Sequence, residues 1–265
     1  IQRRRGRFEW LEKIDGGQGM KDGRKAGIMI NEIPFSNFPV LFKQCGLDFY
    51  IIDDEHGGFD YREIYGMICS ARLSGGIETI VRIPSAERRD IIKFLDMGAD
   101  GLLLPMTGCA EDISKVVKYA KYSPLGERGI STMRAHTLYN PPPLPDYMKS
   151  ANLRTKIYAQ IETAEGVERI DEILSVEGVE GFLLGPNDLS DSYGCLGDTA
   201  ANPILTAIDR TAESARKWGK TSGIITGNAC YIKKAKESGM TMFSEGSELS
   251  LLSSGIRETV LKIRS

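Results

Sequence analysis

This chain of 265 residues is poor in the residue types that usually announce a site or a compartment. Its five cysteines, at 45, 69, 109, 195 and 230, are odd in number and contain no CxxC pair. That spacing excludes a thiolate metal site and argues against a disulfide framework, so a reducing, cytoplasmic setting is expected. No apolar run approaches the ~18 residues of a membrane span, and the first residues lack a signal-peptide core. Positive charge is not in surplus either: 34 Lys and Arg against 36 Asp and Glu leave a net charge of −2, which speaks against a nucleic-acid partner. The one basic tract, Arg3–Arg7, reads as a solvated terminal tail. There is also no glycine in "INEIPFSN" (30–37), after the first apolar run. A dinucleotide-binding open sheet would need a glycine-rich turn there.

What the chain does have is a rhythm. Short apolar runs at 26–32, 48–53, 79–84, 101–106, 156–162, 181–186, 222–226 and 240–245 read as buried strands. Amphipathic stretches separate them, at 35–45, 61–73, 87–97, 110–121, 164–174, 203–218 and 229–238, and a last one covers 249–263. Glycines in "GADG" (98–101) and "GVEG" (178–181) suit helix C-caps and tight turns into the next strand. Eight strands, each followed by a helix, predict a single-domain α/β (β/α)8 TIM barrel over 26–265; residues 1–25 form an extension of unclear role. One segment breaks the rhythm: 123–153, with "YNPPPLPDY", is either a functional loop that folds over the barrel mouth or contacts a neighbouring subunit, or a poorly ordered proline-rich excursion.

In such a barrel the active site lies at the C-terminal ends of the strands. The second run ends in Asp53, followed by Asp54, Glu55 and His56, a packing of charge that a fold does not need. Arg82 closes the third, Gln160 and Glu162 the fifth, and Asp188 follows the sixth. Glu162 and Asp188 end consecutive units, and two neighbouring carboxylates repel unless a proton or a cation intervenes. Oxygen ligands without cysteine suit Mg2+, Mn2+ or Co2+; the alternative is two solvated helix-capping acids. His56, beside acids at the barrel mouth, is the candidate general base. Arg82, a cation among β-branched residues, needs an anionic partner, either Asp53 or Glu55 or a substrate oxyanion. Asp54 is expected to sit beside His56 and raise its basicity. Asp96 ends a helix, where its charge opposes the dipole, and Arg128 is a cap, an interface residue or a site residue. His136, without such neighbours, reads as a surface residue.

"FYIIDDEHG" (49–57), "VRIP" (81–84), "LDMGADGLLLPM" (95–106), "YSPLGERG" (122–129), "AQIET" (159–163) and "GFLLGPNDLS" (181–190) occur in the order and spacing of the HpcH/HpaI-type class II pyruvate aldolases. The chain resembles that family from about residue 26 onward. The resemblance implies a divalent metal on Glu162 and Asp188, and His56 as base assisted by Asp53. It also implies that Arg82 contacts the 2-oxo group of pyruvate, with Gln160, Pro186, Asn187 and Asp188 around the oxo-acid end. It further implies hexamers in which the C-terminal helix crosses to a partner and Asp96 reaches a neighbour's site. The function so implied is reversible cleavage of a 4-hydroxy-2-oxo acid to pyruvate and an aldehyde, in the breakdown of aromatic compounds or sugar acids. Asp54, "YSP" and "HGGFD" depart from the family pattern. Three other readings stand beside this one: a lyase of the citrate-lyase β or malyl-CoA type, a Schiff-base aldolase, or a catalytically silent oxo-acid-binding barrel. The CoA lyase lacks any CoA-binding motif here. Lys156, which a Schiff base could use, is near the start of the fifth strand and should point to the wrong end.

Overall fold

The structure is a computed structural model that describes residues 23–265. The Arg3–Arg7 tract and most of the 1–25 extension lie outside the described residues. Eight parallel strands close into a barrel in sequence order, with the eighth pairing the first. In chain order the elements are β1 (Lys25–Ile30), α1 (Phe38–Gln44), β2 (Phe49–Asp53), α2 (Tyr61–Ser74), β3 (Glu78–Arg82), α3 (Arg88–Met97), β4 (Gly101–Leu104) and α4 (Ala110–Ala120). They continue with α5 (Leu144–Arg154), β5 (Lys156–Ile161), α6 (Ala164–Glu168), α7 (Ile170–Ser175), β6 (Gly181–Leu184) and α8 (Pro186–Ser192). The last are α9 (Asn202–Trp218), β7 (Thr221–Ile225), α10 (Ala229–Glu237), β8 (Met242–Ser247) and α11 (Glu248–Arg264). No helix among the described residues is long and apolar enough to cross a membrane, and the five cysteines are all free.

Strand alternation divides the core in two. Met29, Phe49, Ile51, Ile80, Leu103, Tyr158, Leu183 and Met242 fill the barrel interior. Their neighbours, such as Tyr50, Ile52, Val81, Leu102 and Ile157, face outward and pack against the helices. The interior series of β2, β3 and β5, continued two residues on, reaches Asp53, Arg82, Gln160 and then Glu162. The alternation that builds the core therefore also delivers these polar groups to the inside of the barrel mouth.

The floor of the barrel closes on charge. Glu78 Oε2 takes Lys25 Nζ at 2.7 Å and Lys156 Nζ at 2.8 Å, and the Tyr158 hydroxyl donates to its Oε1 at 3.1 Å. Burial works against the Lys156 cation, but the bond to Glu78 and the Glu78 charge, with smaller contributions from its other neighbours, together raise its pKa. A lysine held charged at the floor is no Schiff-base nucleophile.

Three local expectations change. The 123–153 segment is not a bare loop: it carries a 3-10 turn at Ala135–Thr137 and all but the last residue of α5, whose first turn admits Pro145 because helix-start N–H groups have no acceptor there. The expected 164–174 helix breaks at Arg169 into α6 and α7. His136 is buried, 7 % exposed, with Nδ1 3.3 Å from the Asp96 carbonyl oxygen and its ring 5.5 Å from that of Tyr147. Its sequence neighbours are mixed, with Ala135 and Leu138 beside Arg134 and Thr137, so long-range packing against α3 and α5 is what reveals that burial.

Candidate active site

Asp53 closes β2 opposite Arg82 on β3, and the two side chains meet inside the barrel. Arg82 Nε donates to Asp53 Oδ1 at 2.8 Å and Nη2 to Oδ2 at 2.6 Å, while Nη1 lies 3.3 Å from Glu55 Oε2. The Asp53 carboxylate, fully buried, also accepts the backbone N–H groups of Glu55 and His56 at 3.1 and 3.3 Å. It thus shapes the turn after β2 and holds the guanidinium rigid. Burial opposes the Arg82 charge most strongly, but the bonds and charge of Asp53 together with the charges of Glu55 and Glu162 raise the pKa. Of the two partners weighed from sequence, Arg82 takes both, and its remaining Nη hydrogens are available for an oxyanion.

His56 stands at the rim with 70 % of its ring exposed. Its nearest carboxylate is Glu55, with Nε2 3.8 Å from Oε2; both Asp53 oxygens are spent on Arg82 and on backbone. Of the two acids expected beside the imidazole, Asp53 reaches His56 only through its backbone N–H, which corrects the assisting role expected of it, while Glu55 is the acid beside the ring, as its place next to His56 in the chain suggested. Burial raises the Glu55 pKa, with Arg82 and then His56 pulling it back. Asp54 is also corrected. Alternation turns it to the outer face, where burial first, then Asp90 and Asp53, push its pKa up to about 6.

Glu162 lies 3 % exposed just past β5. Gln160 Nε2 donates to its Oε1 at 2.5 Å, and the Met106 backbone N–H donates to Oε2 at 3.0 Å. Burial above all, and then the Asp188 charge, raise its pKa to about 7, against the pull of the Met106 N–H and Arg82. Asp188 sits exposed in the first turn of α8. The Gln160 Oε1 is buried without a partner. A carboxylate made basic first by burial and then by a second carboxylate fits an oxygen-binding divalent cation, and Glu162 and Asp188 are the residues that would hold it. Among the described residues no group of three or more His, Cys, Asp or Glu converges. The rest of the coordination shell would fall to water and substrate, as Mg2+ commonly arranges.

Two contributors escaped the sequence reading. Met106 adopts φ 50°, which aims its N–H at Glu162; only a backbone angle encodes this. Gly185, before Pro186, leaves room for the Glu162 side chain: a Cβ there would lie 2.6 Å from Oε1 and 2.8 Å from Cγ. The "GPND" turn carried that signal as a glycine without an obvious need. Pro186 is buried and Asn187 exposed beside Asp188. Asp96 is not part of this cluster. It occupies the last turn of α3, where its Oδ1 accepts Arg128 Nη2 at 2.9 Å and lies 3.8 Å from His136 Nδ1.

Residues 40–254 match the family described as HpcH/HpaI aldolase/citrate lyase. The chain belongs to that family. A hydroxypyruvate/pyruvate aldolase of Roseovarius nubinhibens is 31 % identical over 83 % of this chain and 85 % of its own. A 5-keto-4-deoxy-D-glucarate aldolase of Klebsiella pneumoniae is 30 % identical over 81 % and 82 %. The crystal structure of an HpcH/HpaI aldolase from Desulfitobacterium hafniense superposes with a TM-score of 0.86 at 30 % identity, covering 96 % of each chain. The (β/α)8 barrel of this HpcH/HpaI chain is thus the fold of its relatives.

Proposed function

We propose that this protein is a metal-dependent pyruvate aldolase that reversibly cleaves a 4-hydroxy-2-oxo acid into pyruvate and an aldehyde. Its class, a carbon–carbon lyase, accords with its family and with the aldolase names of its relatives. The observation that carries the reading is Glu162: a buried carboxylate raised to about 7, with Asp188 and Arg82 acting on it. The alternative of two solvated capping acids fails for Glu162, which is buried and caps nothing; Thr163 caps the helix that follows.

A divalent cation bound by Glu162 and Asp188 would act as a Lewis acid toward the 2-oxo group of the substrate. The chain supplies the rest. Arg82, immobilised by Asp53 and Glu55, presents fixed positive charge to the oxygen on which negative charge builds, without reorganising during the reaction. Gln160 donates through Nε2 to Glu162 and so holds that carboxylate in place beside the oxo-acid end. His56 takes the proton of the 4-hydroxyl. The C3–C4 bond then breaks, the aldehyde departs, and its bonding pair becomes the C2–C3 double bond of the pyruvate enolate, which a proton at C3 converts to pyruvate.

The assembly reading also belongs here. In α11 only Glu248 is buried, and Leu249, Leu251, Leu252, Ile256, Leu261 and Ile263 are all 42–78 % exposed. A groove of about 780 Å³, lined among others by Phe38, Phe42, Ile232 and Phe243, opens beside its start. Such surface on a lone chain marks an interface, so we read the protein as an oligomer, a hexamer by family resemblance, with Asp96 offered toward a neighbour. Light scattering that returns a monomer at micromolar concentration would refute this. For the reaction, pyruvate release from a panel of 4-hydroxy-2-oxo acids is measured after EDTA and after Mg2+, Mn2+ or Co2+ is restored. Activity without metal, or none with it, refutes the reading.

A further inference from the structure

Glu248 lies some 190 residues from the base-bearing turn in sequence, and no motif marks it. It is the first residue of α11 and is 5 % exposed. Its carboxylate accepts the N–H groups of three consecutive residues of the β1–α1 loop: Asn31 at 3.0 and 3.1 Å, Glu32 at 2.6 Å and Ile33 at 3.0 Å. That loop has no regular structure of its own, so these donors depend on one side chain. The loop in turn is packed against the turn that carries His56. A Cβ on Gly57 would lie 3.0 Å from the Asn31 carbonyl oxygen and 2.1 Å from that of Asp53. No side chain separates the two backbones there.

We propose that Glu248 is a positioning residue for the base: it pins the β1–α1 loop, which forms the wall against which Gly57, and so His56, is set. The contact runs from the seat of α11, the helix with the exposed apolar surface, to the rim of the barrel. It gives this side chain a task in the reaction without any contact to substrate. The inference rests on the aldolase reading above.

Two reactions separate positioning from general damage. Cleavage of a 4-hydroxy-2-oxo acid needs a base for the hydroxyl proton. Oxaloacetate instead loses C4 as CO2 and leaves the same pyruvate enolate, with no hydroxyl proton to remove. Both are measured with Mg2+ on wild type, Glu248→Gln and Glu248→Asp, alongside light scattering and thermal melting. The Gln variant keeps the volume but turns an amide toward N–H donors. In it, kcat for cleavage should fall about ten- to a hundredfold, as for a displaced catalytic group, with KM within about twofold. Decarboxylation and oligomer size should stay at wild-type values. The Asp variant, which keeps an acceptor on a shorter stem, should lose less of the cleavage rate; it carries the same comparison if the Gln variant does not fold. An equal fall in both reactions, or no fall in either, overturns the proposal. A wild type that decarboxylates oxaloacetate but cleaves no hydroxy-oxo acid would instead overturn the aldolase reading.

Discussion

On the proposed metal site, binding of a divalent cation should weaken as the pH is lowered, and the size of the effect follows from Glu162. Its carboxyl is held at about 7 instead of 4.5, first by burial and then by Asp188. The difference, about 2.5 units, corresponds to about 3 kcal/mol of disfavoured ionisation. A cation binds only the ionised form, so binding must release close to one proton below pH 7. Affinity should fall about tenfold per pH unit below that point and level off above it, or about 25-fold between pH 7.5 and 5.5. The sign for the metal-free fold is the reverse of the usual acid. A raised carboxyl stabilises the fold while protonated, and that contribution is lost as pH climbs from 4.5 through about 7. The Tm gap between metal-loaded and metal-free protein should therefore widen over the same window. Calorimetric titration with Mn2+ in buffers of different ionisation enthalpy counts the protons. An affinity that is flat from pH 5.5 to 7.5, or a Glu162→Gln variant with the wild-type slope, would refute the assignment of Glu162 as the proton-linked ligand.

Gly185→Ala should cost about tenfold or more in Mn2+ affinity and also lower Tm, because the new methyl meets the buried Glu162 at 2.6 Å from Oε1 and 2.8 Å from Cγ, although φ of −106° is open to any residue; calorimetry and melting check this together. His56→Ala should lower kcat about 10²–10⁴-fold in steady-state assays with little effect on pyruvate inhibition. Arg82→Ala leaves the fully buried Asp53 without its partner and should cost about 3–5 kcal/mol in chemical denaturation, as well as raising KM. Asp54→Asn should raise Tm at pH 8, where the wild-type carboxyl is charged, and leave it unchanged near pH 3, since that group titrates at about 6. A wild-type melting curve for the Asn variant at pH 8 would contradict the outward, desolvated placement of Asp54.

Much of this protein was legible along the chain. A strand writes its burial into every second residue and a helix into every third or fourth, so periodicity alone separated eight strands from their helices. The number and order of those units, with no rival fingerprint, led to the barrel, and the barrel fixed which strand ends to inspect. Asp53, Arg82, Gln160, Glu162 and Asp188 were found that way, since residue type and strand parity are both sequence properties. What parity could not say was which polar groups pair. Asp53 and Arg82 are 29 residues apart, and their bidentate contact arises only because β2 and β3 are neighbours in register. That contact took Asp53 away from His56, while the same alternation that turns Asp53 inward turns Asp54 outward. The burial of His136, the room that Gly185 leaves for Glu162 and the bonds from the β1–α1 loop to Glu248 have the same origin. Each is a meeting of segments distant in the chain, whose local composition carries no trace of the partner. Local sequence decides periodicity, capping and charge type, because these act over a few residues of backbone; desolvation and pairing depend on what the closed barrel brings alongside, and only the tertiary structure contains that.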